Sequence, residues 1–160
     1  MKHRCHFVLL ASLLMVVVPA QARLGETLSE LQNRYGKPAP QERTNKFNAV
    51  WLLEGEDGAL MYSVTFDAKG KSIAEGMKPV RYAKFTNETV RLFLETQLVP
   101  YRDSKTVRTV KPGEKYVFGG KEYTTMAEEI VVVDDANDLL LVWTKAAPPS
   151  VMAVRSVMMQ

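Results

Sequence analysis

The chain has 160 residues, of which 46% are apolar and 24% are charged, and its formal net charge is +3. This length suits one compact domain or two very small ones, and the wide spread of aromatic and branched apolar residues argues against disorder. The single cysteine and both histidines lie at the amino terminus, as Cys5, His3 and His6. A chain that loses this end has no thiol and no imidazole, which excludes Ser-His-Asp and Cys-His nucleophiles and histidine- or thiolate-rich metal sites.

The amino terminus has the pattern of a secretory signal peptide. A basic start precedes an apolar run over residues 7–18, and an Ala-Gln-Ala sequence ends at Ala22. The run is shorter than the ~20 residues that span a bilayer. We therefore expect cleavage of residues 1–22, a periplasmic or secreted protein of residues 23–160 with no transmembrane span, and a net charge of +1. Such a small charge gives no support for nucleic-acid binding.

The first predicted element of the mature chain is a short helix over residues 27–35. Thr27 and Glu30 have the spacing of a capping box, in which each side chain accepts a hydrogen bond from the other residue's backbone amide. An apolar stripe at helical spacing follows. Gly36 and Pro38 then provide a stop signal.

Strands and a second helix follow. Alternating apolar residues and intervening turns predict three antiparallel strands, over residues 47–53, 60–66 and 72–77. The second helix begins at a cap at Thr86 or Asn87, and Pro100 ends it. Residues 101–114 are basic and are predicted to form a loop.

The last third of the chain is predicted to contain two hairpins. One joins residues 116–118 and 122–126 across Gly119-Gly120, and the other joins residues 130–133 and 139–143. The pattern gives no conformation for the tail over residues 151–159.

The order is therefore helix, three strands, helix, then three or four strands. This predicts an α+β fold with two short helices packed on an antiparallel sheet. We expect a single domain over residues 23–160, with two helix-plus-sheet halves, 23–84 and 85–160, as the alternative.

A short motif surrounds the first helix: Gly25-Glu26-Thr27, Glu30-Leu31 and Gly36-Lys37-Pro38. It resembles the opening signature of the SmpA/OmlA-like envelope lipoproteins, which include the small accessory subunit of the outer-membrane β-barrel assembly machine. It also resembles the related beta-lactamase-inhibitor-protein-like fold. The resemblance implies a helix followed by a small antiparallel sheet, in a periplasmic binding or scaffolding module rather than a catalyst.

The remaining chemistry is that of carboxylates. The densest acidic cluster, residues 134–138, lacks the ligand spacing of an EF-hand, and its Asp and Asn residues are typical of a hairpin turn, so a turn is favoured over a calcium site. Glu128 and Glu129 lack the cleft that a glycosidase pair needs. The sequence therefore predicts no catalytic residue, no metal site and no cofactor.

The charge is distributed unevenly. Residues 67–121 carry twelve basic and six acidic side chains, whereas residues 122–160 carry two basic and six acidic ones. The candidate binding residues, which could form a patch for an envelope glycan, lipid headgroups or an acidic protein surface, are Tyr101, Arg102, Lys105, Arg108, Lys111 and Tyr116. The alternative is a solvated loop that pairs with the acidic carboxyl-terminal strands.

These observations predict an exported, non-catalytic binding or scaffolding module of the bacterial cell envelope with a protein partner. One alternative is an inhibitor of an exported enzyme, acting through aromatic residues on a sheet face and the basic loop. A carboxylate-dependent hydrolase is the other alternative.

Overall fold

The computed structural model describes residues 23–40, 48–55, 58–81, 83–101 and 103–159. The predicted signal peptide and Arg102 lie outside the described residues. The elements in chain order are α1 (Leu28–Tyr35), β1 (Asn48–Gly55), β2 (Gly58–Phe66), β3 (Ser72–Pro79), α2 (Asn87–Leu98), β4 (Arg108–Val110), β5 (Lys115–Phe118), β6 (Lys121–Thr124), β7 (Glu129–Asp134), β8 (Leu139–Thr144) and β9 (Ser150–Val154). The α+β class is confirmed, but six described strands follow α2 where three or four were expected.

Both helices begin at the predicted caps. The Thr27 side chain accepts a hydrogen bond from the Glu30 N–H at 3.3 Å, and Glu30 Oε2 accepts one from the Thr27 N–H at 2.6 Å. Gly36 ends α1 with φ of 77°, a conformation that favours glycine, and its N–H donates to the Gln32 carbonyl. Thr86 caps α2. The local signals therefore fix both helices where the sequence predicts them.

Seven strands form one antiparallel sheet in the order β1-β2-β3-β9-β8-β7-β4, and β5 and β6 form a separate hairpin. The middle strand is β9, which lies in the tail that had no predicted conformation and pairs with both β3 and β8. The edge strand β4 lies within the predicted basic loop. Residues from both candidate halves therefore contribute to a single sheet.

One face of this sheet, the helix-covered face, carries α1 and α2. Leu31 of α1 and Val90 and Phe93 of α2 are buried with side chains from the sheet in one apolar cluster. The sheet residues of this cluster are Ala49, Trp51, Tyr62, Val64, Phe66, Met77, Leu139, Leu141, Val151 and Ala153. They come from strands β1, β2, β3, β8 and β9, so the helices cover the face across most of its width.

The opposite face, which we call the second face, is covered at one end only. Tyr116 and Phe118 of the β5–β6 hairpin are buried on it in a second apolar cluster. The sheet residues beneath them include Val110, Val131, Val133, Leu140 and Val154. The hairpin therefore covers the β4, β7, β8 and β9 end of the second face.

Candidate binding surfaces

The basic side chains predicted to form a patch lie on and beside the edge strand β4. Lys105, Arg108 and Lys111 are exposed, and their side chains form no ion pair or hydrogen bond among the described residues. The neighbouring Lys115 differs, because its Nζ lies 2.7 Å from Glu122 Oε1 on the adjacent strand. The structure therefore brings three predicted basic residues to one sheet edge, while Arg102 lies outside the described residues.

The two tyrosines predicted for the same patch belong to the two apolar cores instead. Tyr101 packs against the helix-side core, and its hydroxyl accepts a hydrogen bond from Arg155 Nη2 at 2.9 Å. Tyr116 is 8% exposed, and its ring stacks on Tyr123 with 5.5 Å between centroids. A patch that combines these tyrosines with the basic side chains is therefore not assembled, because burying the rings removes more apolar area from water.

The acidic cluster over residues 134–138 forms a hairpin turn. Asp134 is fully buried and accepts hydrogen bonds from Ser104 Oγ at 2.9 Å, Asn137 Nδ2 at 2.6 Å and Thr106 Oγ1. Burial raises the pKa of Asp134, but these hydrogen bonds outweigh burial and hold its pKa below the usual value. Asp138 adopts the left-handed conformation, with φ of 52°. The carboxylate oxygens therefore bind the loop before β4.

The part of the second face beyond the hairpin carries apolar side chains that no described element buries. Val50, Leu52, Met61 and Met152 belong to neither apolar cluster. Leu52 is 55% exposed and Met152 is 38% exposed. We call the surface that these four residues form with Gly76 the open face. A solvated sheet face ordinarily carries polar side chains, so this composition differs from the usual alternation.

A groove runs through the open face along β3. Ser63, Gly76 and Met152 are cross-strand neighbours on β2, β3 and β9, and Met61 pairs with Lys78 in the adjacent row. The groove encloses about 290 Å³. We call it the Gly76 groove; its lining includes Met61, Ser63, Ala74, Gly76, Lys78 and Met152. Small residues form its floor, and the two methionines and the lysine form its walls.

The aromatic residues of the large sheet lie on the covered side of the molecule. Trp51 and Tyr62 are 2% and 0% exposed beneath the helices, with 5.7 Å between their ring centroids. Tyr35 of α1 packs on both rings, at 6.1 Å and 5.3 Å. Trp143 packs against the same core. The expectation that sheet-face aromatics form a contact surface is therefore wrong for Trp51 and Tyr62, because the helices cover them, whereas Trp143 is half-buried.

A buried carboxyl group lies on the helix-covered face. Glu75 of β3 is 2% exposed and accepts hydrogen bonds from Ser72 Oγ at 2.8 Å and Gln97 Nε2 at 2.7 Å. Burial raises the pKa of Glu75 to about 7, although both hydrogen bonds favour the charged form. The nearby Tyr62 hydroxyl is buried without a hydrogen-bond partner among the described residues, and burial raises the pKa of Tyr62 as well.

The partners of Glu75 also hold the start of the described chain. The Leu24 N–H donates to Gln97 Oε1 at 3.0 Å, and the Gly25 N–H donates to Ser72 Oγ at 2.9 Å. Ser72 and Gln97 are each 1% exposed, so no substrate reaches this network in the folded protein. We interpret it as a structural device that fixes residues 24–25 against β3 and α2. This network was not predicted from the sequence. Its signal was Glu75, a charged residue within the predicted strand over residues 72–77.

The described residues contain no group of three or more His, Cys, Asp and Glu side chains arranged to hold a metal ion. No helix in the described ranges has both the length and the apolar character that crossing a bilayer requires. Of the exposed features of the described residues, the β4 edge and the open face are the candidate binding surfaces.

The fold and these surfaces define an α+β protein with a half-covered antiparallel sheet. No family model matches the sequence, and no curated protein matches it. Among solved structures, a cysteine-rich secretory protein from Staphylococcus aureus subsp. aureus Mu50 is similar, at 11% sequence identity and a TM-score of 0.46. The similarity covers 85% of this chain and 46% of that chain, so this chain spans less than half the length of that protein.

Proposed function

We propose that this protein is an exported, non-catalytic binding module of the bacterial cell envelope that acts by docking a protein partner on its open face. The observation that carries the proposal is the exposure of Leu52 and Met152 beside the Gly76 groove. An apolar patch on a sheet whose other face is covered by helices marks a candidate interaction site. The partner would remove these side chains from water, as the hairpin does for the other end of the same face.

Two further observations support an envelope location and a binding role. The residues before Arg23 have the pattern of a signal peptide, and the motif over residues 25–38 resembles the SmpA/OmlA-like envelope proteins. Among the described residues, the carboxyl group with a strongly raised pKa is that of Glu75, which is enclosed in the core. Catalysis needs a reactive group that a substrate can reach, so the observations favour binding over hydrolysis.

Site-specific photocross-linking in intact cells tests the proposal. We would introduce p-benzoylphenylalanine at Leu52, on the open face, and at Leu28, an apolar residue of α1 that is 39% exposed. The expected result is an adduct with one envelope protein from position 52, identified by mass spectrometry, and a much weaker adduct from position 28. An absence of adducts from position 52, or equal adducts from both positions, would contradict the proposal.

Export is tested separately. Amino-terminal sequencing of the protein recovered from the periplasm or medium should begin at Arg23. Recovery only from the cytoplasm, with residues 1–22 retained, would contradict the envelope location.

A further inference from the structure

The Gly76 groove exists because a glycine occupies the centre of β3. Glycine in a strand interior costs about 0.5–1 kcal/mol relative to alanine, and it often marks a place where another group approaches closely. An added Cβ at Gly76 would lie 3.5 Å from Ser63 Oγ, 3.6 Å from the Val151 carbonyl oxygen and 3.9 Å from Met152 Cβ. These are ordinary contact distances. The packing of the protein itself therefore does not require glycine there.

The size and openness of the groove indicate what it can hold. Small-molecule sites are usually cavities of ~300–1,000 Å³ that enclose most of their ligand. The Gly76 groove, at about 290 Å³, lies at the lower limit of this range, and it is open, since its wall residue Met152 is 38% exposed. One aromatic side chain buries ~150–250 Å² and is the usual anchor in the pocket of a protein interface. The dimensions therefore favour a single large side chain of a protein partner.

The walls of the groove favour an aromatic ring next to an acid. Met61 and Met152 supply flexible, polarizable thioethers, which make favourable contacts with aromatic rings. Lys78 is exposed, and its ammonium group has no hydrogen bond or ion pair among the described residues. The other charged residue that borders the groove, Glu75, extends its side chain to Gln97 on the opposite face. Among the described residues that line the groove, Lys78 therefore presents a positive charge with no carboxylate paired to it.

We propose that the Gly76 groove is the socket for one aromatic side chain of the protein partner, with an adjacent acidic residue of that partner paired to Lys78. This inference rests on the proposed function and specifies the chemistry of the partner. The ring lies over Gly76 between the two methionines, and the carboxylate of its neighbour lies at the Lys78 end.

A defined peptide probe tests this inference without knowledge of the partner. The purified protein would carry ¹³C-labelled methionine methyl groups, and Ac-Asp-Trp-NH₂ would be added at millimolar concentration. Met61 and Met152 methyl signals should shift on addition, whereas that of Met126, which is 69% exposed outside the groove, should not. Ac-Lys-Trp-NH₂ should bind about threefold more weakly, as loss of one exposed ion pair predicts.

A Gly76→Val variant provides the steric control, because an added Cβ at this position meets only ordinary contact distances and the branched side chain adds bulk to the groove. It should fold with a wild-type amide spectrum and lose the probe response. The inference is overturned if the Met61 and Met152 signals stay fixed, if Met126 responds equally, or if Gly76→Val binds the probe as well as the wild type. If position 52 cross-links to a partner while the probe produces no response, the proposed function stands and the aromatic socket is refuted.

Discussion

The helix-covered face and the second face of the large sheet differ in how completely their apolar side chains are buried. The helices cover strands β1, β2, β3, β8 and β9 on one side, and the core there includes the buried carboxyl group of Glu75. On the other side, the β5–β6 hairpin covers one end, and the Met61, Gly76 and Met152 end has no described element on it. One side of the sheet is therefore buried across most of its width, while part of the other is left uncovered by the described elements.

The greatest loss of stability is predicted for a substitution in the end of the second face that the hairpin covers, if this end is a true core. Replacing Phe118, which is 0% exposed, with alanine should lower the free energy of unfolding by about 3–5 kcal/mol, because it leaves a cavity under the hairpin. Urea denaturation measures this change. Leu52→Ala on the open face is the matched control and should cost less than about 0.5 kcal/mol. Similar losses in both variants would remove the distinction between the two ends.

The next effect concerns pH and the helix-covered face. The pKa of Glu75 is about 7 in the folded protein and near 4.5 in the unfolded chain. Between these values the folded state binds the extra proton, so its stability falls as pH rises, by up to about 3 kcal/mol. The contribution is fully present below pH 4.5 and is lost above pH 7. Thermal denaturation of the wild type should therefore show a Tm that falls between pH 5 and pH 8.

Glu75→Gln isolates the contribution of Glu75 to the pH dependence of stability, since the variant has no ionisable group at the site. Its Tm should lack that fall, whereas the exposed-residue control Glu95→Gln should retain it. A wild-type fall that survives in Glu75→Gln would show that another group is responsible.

A smaller loss of stability is predicted for a substitution at the cap of α1, which lies on the helix-covered face. Thr27→Ala removes one acceptor of the capping box and should lower the free energy of unfolding by about 1 kcal/mol. Calorimetry can measure this loss. Thr27→Ser keeps the acceptor and should restore most of it, so equal losses in both variants would exclude the cap as the cause.

The smallest effect is expected on the open face. Met152→Ala should change the free energy of unfolding by less than about 0.5 kcal/mol, since Met152 belongs to neither apolar cluster. Chemical denaturation provides the measurement. A loss above about 2 kcal/mol in Met152→Ala would mean that this residue is part of the core, and the comparison of the two ends would fail.

The sequence predicts the local elements well, because their signals are local. The capping box at Thr27, the cap at Thr86 and the Gly119-Gly120 turn each act within a few residues, and the structure has the elements where these signals place them. The turn over residues 134–138 is another example. Hairpins and helix ends could therefore be predicted from one sequence.

The non-local features could not be predicted in the same way. Strand β9 follows a Pro-Pro sequence and is short, and its place in the middle of the sheet depends on pairing with the distant strands β3 and β8. Strand β4 has three residues, of which only Val110 is buried, so it shows no alternation. The position of the open face depends on which end of the sheet the hairpin covers. Tyr116, which the sequence predicts in the basic patch, is instead buried in the core beneath that hairpin.

The central claim is that the open face binds the partner through the Gly76 groove. Its most direct test is photocross-linking from p-benzoylphenylalanine at Leu52 in intact cells, in the wild-type and Gly76→Val backgrounds, with expression and folding matched. We expect one envelope-protein adduct in the wild type and its loss when the groove is filled. An adduct of undiminished yield in the Gly76→Val background would show that the partner does not bind through the Gly76 groove.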